Sequence, residues 1–195
     1  MSLLRAFVAV EIPPALQEAI HLQTAGLRQS LGSGMIRWVG AGNLHLTLKF
    51  LGDISPANLD VLTQMLAAEA AQVRCFEMRI GGLGSFPNSK RPRVIWIGLE
   101  APAALEAMQR GLEAAAARLG YAAEERASAP HLTIGRVKQN LSVSNLQKIR
   151  TVLEGSKIGE IGRAYVQAIH LFKSELNPAG SIYSKLFSAP LAQET

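Results

Sequence analysis

The chain has 195 residues, 48% hydrophobic and 18% charged, a globular composition that excludes an intrinsically disordered chain. Twenty Lys and Arg against 15 Asp and Glu give a formal net charge of +5, spread without a polybasic block; this suits an anionic partner but names none. The single cysteine, Cys75, excludes an internal disulfide and a cysteine-rich zinc module.

Val73 and Phe76 around Cys75 suggest a half-buried thiol, and a reducing cytoplasm is the expected compartment. Met1 to Ile12 is apolar but broken by Arg5 and Glu11, so neither a signal peptide nor a spanning helix is expected there.

Leu4 to Ile12 reads as a strand that stops at Pro13-Pro14, where the second proline favours a helix start. A helix is expected over about Ala15 to Ser30, ended by Gly32-Ser33-Gly34. Ile36 to Val39 and Asn43 to Leu51 read as strands around the Gly40-Ala41-Gly42 turn. Ser55-Pro56 opens a second helix running to about Val73. Phe76 to Phe86 and Arg93 to Leu99 read as strands. The loop between them, Pro87 to Pro92, forms with Arg93 the densest basic cluster, Lys90, Arg91 and Arg93, fit for a nucleic-acid backbone or simply for solvent.

Pro102 starts a third helix that ends at Gly120, and His131 to Val137 reads as a strand. Ser144 to Leu153 makes a fourth helix. Ala164 to Phe172 and Ile182 to Phe187 then form a closing pair of strands joined by the Asn177-Pro178-Ala179-Gly180 turn. Each half carries helices, strands and one His-Leu-Thr strand. The expected fold is α+β: one domain of two pseudo-symmetric lobes with mostly antiparallel sheets.

Those triplets are the chemical signal. His45-Leu46-Thr47 and His131-Leu132-Thr133 hold two of the four histidines in the chain. Strand alternation points His45, Thr47 and Lys49 one way and Leu44, Leu46, Leu48 and Phe50 the other; likewise His131, Thr133 and Gly135 oppose Leu132 and Ile134. Histidine titrates near neutrality and can donate or accept a proton, while a threonine hydroxyl one pleat along can donate to a phosphate oxygen. Two such strands facing each other would make a complete phosphate-transfer site. His21 and His170 read as structural. No cysteine or nearby carboxylate completes a coordination sphere around either triplet, so a metal site is the weaker reading.

The chain resembles the 2H phosphoesterases, most closely the RNA 2′,3′-cyclic phosphodiesterases also called 2′-5′ RNA ligases (LigT-like). The resemblance rests on Arg5 to Val10, Leu44 to Gly52, Arg93 to Gly98 and Pro130 to Arg136. It implies a bilobal fold with a central cleft, helices outside, and hydrolysis of an RNA terminal 2′,3′-cyclic phosphate to a 2′-phosphomonoester without metal or cofactor. Reversible 2′-5′ ligation would use the same geometry. By position, His45 is the expected proton donor and His131 the acceptor, with Thr47, Thr133 and Arg136 binding phosphate.

Arg136 lies an odd offset from His131, so a regular strand would turn it away and a bulge near Gly135 is required; Lys49, with correct parity, is the competing cation. Phe7 and Trp38 are expected in the core rather than against a base. The alternatives are a phosphodiesterase for a small cyclic phosphate and an RNA- or nucleotide-binding module without turnover. A monomer with no membrane association is expected.

Overall fold

In the computed structural model, which describes residues 2–124, 129–177 and 180–193, β1 (Leu4–Glu11) has five consecutive buried residues, Ala6 to Val10. Burial on both faces marks an interior strand. Pro14 opens α1 (Pro14–Gln23), but the single helix expected here is two. At Thr24 (φ −95°, ψ 2°) the side chain bonds back to the Ile20 carbonyl and the helix breaks. α2 (Ala25–Met35) is broken at Gly32 (φ 63°, ψ 172°), where the regular helix ends as expected, and the residues from Ser33 to Met35 form a separate turn.

β2 (Ile36–Trp38) and a 3₁₀ turn at Ala41–Asn43 lead into β3 (His45–Ile54). A 3₁₀ turn at Pro56–Asn58, where Ser55 Oγ accepts the Ala57 N–H, precedes α3 (Leu59–Ala70). β4 (Phe76–Phe86), β5 (Val94–Glu100), α4 (Ala103–Arg118), β6 (His131–Val137) and α5 (Val143–Gly155) follow as expected, within a few residues. The end differs. Three strands close the chain, β7 (Glu160–Val166), β8 (Ala168–Asn177) and β9 (Gly180–Pro190), where the sequence suggests two.

The strand order is β7-β4-β5-β6-β3-β1-β8-β9, with β2 beside β6 and every strand pairing antiparallel. The order divides into two four-stranded halves that meet at β6–β3. Only Gln167 separates β7 from β8, which lie far apart in that order, so the sheet must curl back on itself. Hydrogen bonds of Val73 and Cys75, just before β4, to Ala192, just after β9, join the two halves at one end. The result is a half-barrel.

One face of the sheet packs under the helices. Leu62 and Leu66 of α3, Leu105, Met108 and Leu112 of α4, and Ile149 of α5 bury against Leu46, Ile80, Ile95, Ile97 and Leu132 of the strands. Cys75 is fully inside this core, not half-buried. A smaller cluster, Phe7, Ala9 and Phe172 with Tyr183, lies on the other, open face. Among the described residues no helix is long and apolar enough to cross a membrane.

Candidate active site

The two triplets meet at the seam between the halves. β3 and β6 pair antiparallel with Leu46 opposite Leu132, and both leucines are buried in the helix-covered core. Alternation therefore turns His45, Thr47, His131 and Thr133 onto the open face. The same register sets His45 across from Thr133 and Thr47 across from His131. Each histidine thus has a threonine from the opposite half beside it.

The two imidazoles are held alike. His45 Nδ1 is 2.8 Å from the Asn43 carbonyl, and His131 Nδ1 is 2.7 Å from the Ala129 carbonyl. A carbonyl only accepts, so each Nδ1 carries its hydrogen and each Nε2 is left for proton exchange. Aromatic rings fix the ring planes. His45 lies 4.8 Å from Phe7 and edge-on to Tyr183 at 5.0 Å; His131 is edge-on to Phe86 at 4.9 Å.

The surroundings differ in one respect. Burial pushes the pKa of His45 below the usual histidine value; the bond to Asn43 opposes this, and the Arg136 guanidinium adds to the depression. The Arg136 charge therefore lies within electrostatic reach of the His45 ring.

A bulge brings Arg136 there. On β6, Gly135 pairs with Ile95 and Thr133 with Trp96, so Ile134 is the extra residue, one position before the expected place. The parity resets, and Arg136 shares a face with Thr133. β3 carries the same device: Val8 pairs with Lys49 and Ala9 with Thr47, leaving Leu48 unpaired. The two hexapeptides, His45 to Phe50 and His131 to Arg136, consequently have one burial pattern: alternating up to the threonine, two buried residues, then an exposed one.

Two strand-parity expectations fail for this reason. Lys49 points into the core, 2% exposed, where it pairs with Glu113 of α4 at 2.8 Å and donates to the Ala122 carbonyl; it is no cation for the site. Phe50 is turned out instead, 53% exposed and 6.2 Å from Phe7. It is a site-face residue that regular alternation hides, and the repeated hexapeptide was the signal that could have found it.

Of the other expected residues, Trp38 packs on the helix side, its Nε1 donating to the Gly32 carbonyl and Arg28 over its ring at 4.9 Å. Phe7 is buried, but on the open face beneath His45. His170, expected to be structural, is buried: its Nδ1 meets Ser188 Oγ at 2.9 Å, and its Nε2 lies 3.5 Å from Glu11. Glu11 is in turn the strand partner of His45 and ion-paired with Lys185. Trp96, the partner of Thr133, completes the wall beside His131. Among the described residues no three His, Cys, Asp or Glu side chains cluster as a metal site would.

The profile of the LigT like phosphoesterase family matches this chain twice, over residues 10–96 and 97–183, one copy for each triplet. A protein of Methanothermobacter thermautotrophicus named RNA 2′,3′-cyclic phosphodiesterase is 33% identical over 182 residues, 93% of this chain and 96% of its own. One of the same name from Methanocaldococcus jannaschii is 32% identical over 180 residues, 92% and 96% of the two chains. The crystal structure of Escherichia coli LigT complexed with 3′-AMP superposes with a TM-score of 0.78 at 25% identity, covering 98% of this chain and 99% of that one. A Thermus thermophilus crystal structure gives 0.78 at 27% identity, with 98% and 100% covered.

Proposed function

The chain belongs to the LigT-like phosphoesterase family, and on that premise we propose that it is an RNA 2′,3′-cyclic phosphodiesterase, opening a terminal cyclic phosphate to a 2′-phosphomonoester. The observation that carries the reading is the matched pair of histidines, each presenting Nε2 on one sheet face beside a threonine of the opposite half.

In-line displacement needs an acid and a base on opposite sides of phosphorus. His131 Nε2 takes a proton from water as the water oxygen bonds to phosphorus. The P–O3′ bond breaks, and the departing 3′ oxygen takes the proton from His45 Nε2. The products are a 2′-phosphate and a free 3′-hydroxyl, and proton exchange with solvent resets the pair. Thr47 and Thr133 donate to the non-bridging oxygens, and Arg136 balances the charge that grows on them. No metal is required. With a 5′-hydroxyl in place of water, the same displacement forms a 2′-5′ phosphodiester as the P–O3′ bond breaks, and attack of the 3′-hydroxyl on that linkage reverses it.

The low pKa of His45 fits a donor that charges only when substrate is present. A bound phosphate anion offsets both the burial and Arg136. Phe50, exposed and one strand from Phe7, offers an aromatic face for the terminal base.

The test is an RNA oligonucleotide ending in a 2′,3′-cyclic phosphate, incubated with excess chelator and resolved for 2′- and 3′-phosphate products. Exclusive 2′-phosphate with chelator present supports the reading; a 3′-phosphate product or complete loss with chelator contradicts it.

A further inference from the structure

Arg37 of β2 and Arg136 of β6 are direct cross-strand partners, so their guanidinium groups lie on the same face, and both are exposed. Like charges directly opposite on a sheet oppose folding. Among the described residues neither has an acidic partner. Their neighbours do not relieve the repulsion. Ile36 and Trp38 face the helix side, where they close over Gly135.

The charge continues past this pair. Segments 33–41, 84–99 and 129–145 build this corner of the sheet and contain no Asp or Glu. They carry Arg37, Lys90, Arg91, Arg93, Arg136 and Lys138, all exposed. β5 and β6 pair here with Val94 opposite Arg136, and the Arg93 and Val137 backbones are hydrogen-bonded, so the basic loop ends beside the arginine pair. The other half has nothing similar at the matching place: Phe50 stands where Arg136 does, and Arg5 is the strand partner of Asp53. A one-sided cationic strip without counter-charges among the described residues is a surface shaped for an extended polyanion.

We propose that Arg37, with Lys138 and the Lys90–Arg93 loop, holds the phosphodiester backbone upstream of the cyclic end, so that the site selects polynucleotide ends over small cyclic nucleotides. This rests on the cyclic-phosphodiesterase reading above and adds the residues by which the site tells a polynucleotide end from a mononucleotide. Arg136 holds the reacting phosphate. Arg37 beside it takes the next one, and the loop takes those further along. Each such contact displaces condensed cations, so binding weakens with salt by about 0.7 in log–log slope per phosphate on a single strand.

The experiment compares a 2′,3′-cyclic mononucleotide, which has no further phosphodiester, with a ten-nucleotide RNA ending in the same cyclic nucleotide. The wild type is expected to favour the oligonucleotide in kcat/KM. Arg37→Gln, and Lys90→Ala/Arg91→Ala/Arg93→Ala together, are expected to lower the oligonucleotide-to-mononucleotide ratio about fivefold or more and to flatten its salt dependence. Arg37→Gln is also expected to keep or raise Tm, because it removes a like-charge pair. An unchanged ratio and salt slope in both variants would overturn the proposal. Fluorescence anisotropy with the oligonucleotide tests the strip separately from turnover. Equal affinity of wild type and Arg37→Gln at low salt would also overturn it, whereas turnover of neither substrate by the wild type would contradict the phosphodiesterase reading itself.

Discussion

Arg136 and Phe50 occupy equivalent places, each five residues past a site histidine and each turned onto the open face by a bulge two residues earlier. The proposed site is thus symmetric in its two histidines and asymmetric in what surrounds them, cationic on one side and aromatic on the other. If the aromatic side receives the terminal base, Phe50→Ala is expected to raise KM about tenfold, since stacking on an aromatic side chain contributes roughly 1–3 kcal/mol per base. kcat should change little and Phe50→Trp should restore KM. Steady-state kinetics on a cyclic mononucleotide checks this; an unchanged KM would remove Phe50 from the site.

Arg136 lowers the pKa of His45 after burial has done so, which gives a pH signature. A donor must be protonated, so kcat/KM declines as pH rises through the His45 pKa. Arg136→Gln removes one cause of the depression, and the pKa rises. The limb of the profile that reports His45 is therefore expected to move to higher pH, while the plateau falls about 10²-fold from lost charge stabilisation. A profile whose limbs both stay in place would contradict the coupling of Arg136 to His45.

Lys49 is expected to serve the fold and not the chemistry. It is buried against Glu113, which also accepts the Glu124 N–H, so the pair ties β3 to the segment after α4. Lys49→Met strands a partly buried carboxylate and is expected to cost about 2 kcal/mol in urea denaturation, less than a fully buried pair because Glu113 keeps some contact with water. Lys49→Met/Glu113→Leu should regain most of this. Activity per folded molecule is expected to persist, and its loss at unchanged stability would return Lys49 to the site.

Gly84 lies under the Trp96 ring, and a Cβ there would overlap that ring. Trp96 partners Thr133 and neighbours His131. Gly84→Ala is expected to destabilise by about 1–3 kcal/mol and to lower kcat by displacing this wall. Wild-type kcat and Tm together would contradict that placement.

Much of this was legible in the residues. The triplets, the strands that carry them and most of the helices follow from apolar spacing and from Pro and Gly at the boundaries. The bulges do not, because a register shift depends on the partner strand as much as on its own sequence. Arg136 hinted at one through its odd offset, since a charged residue in the pattern was otherwise pointed into the core. Lys49 gave no such warning: its burial is tolerated only because Glu113, far along the chain, comes to meet it. β7 and β8 were hidden similarly. Their separation at Gln167 is a single residue, too short for any turn signal, and the curl of the sheet sends them to different neighbours.

The pairing of His45 with His131 is tested most directly by the single variants His45→Ala and His131→Ala on an RNA with a 2′,3′-cyclic phosphate end, in chelator, with folding confirmed by Tm. Each well-placed acid or base contributes roughly 10²–10⁴ in rate. Each variant is expected to lose about 10² or more in kcat, and the double variant to lose little beyond the worse single. Either variant hydrolysing the cyclic end at the wild-type rate would contradict the two-histidine site.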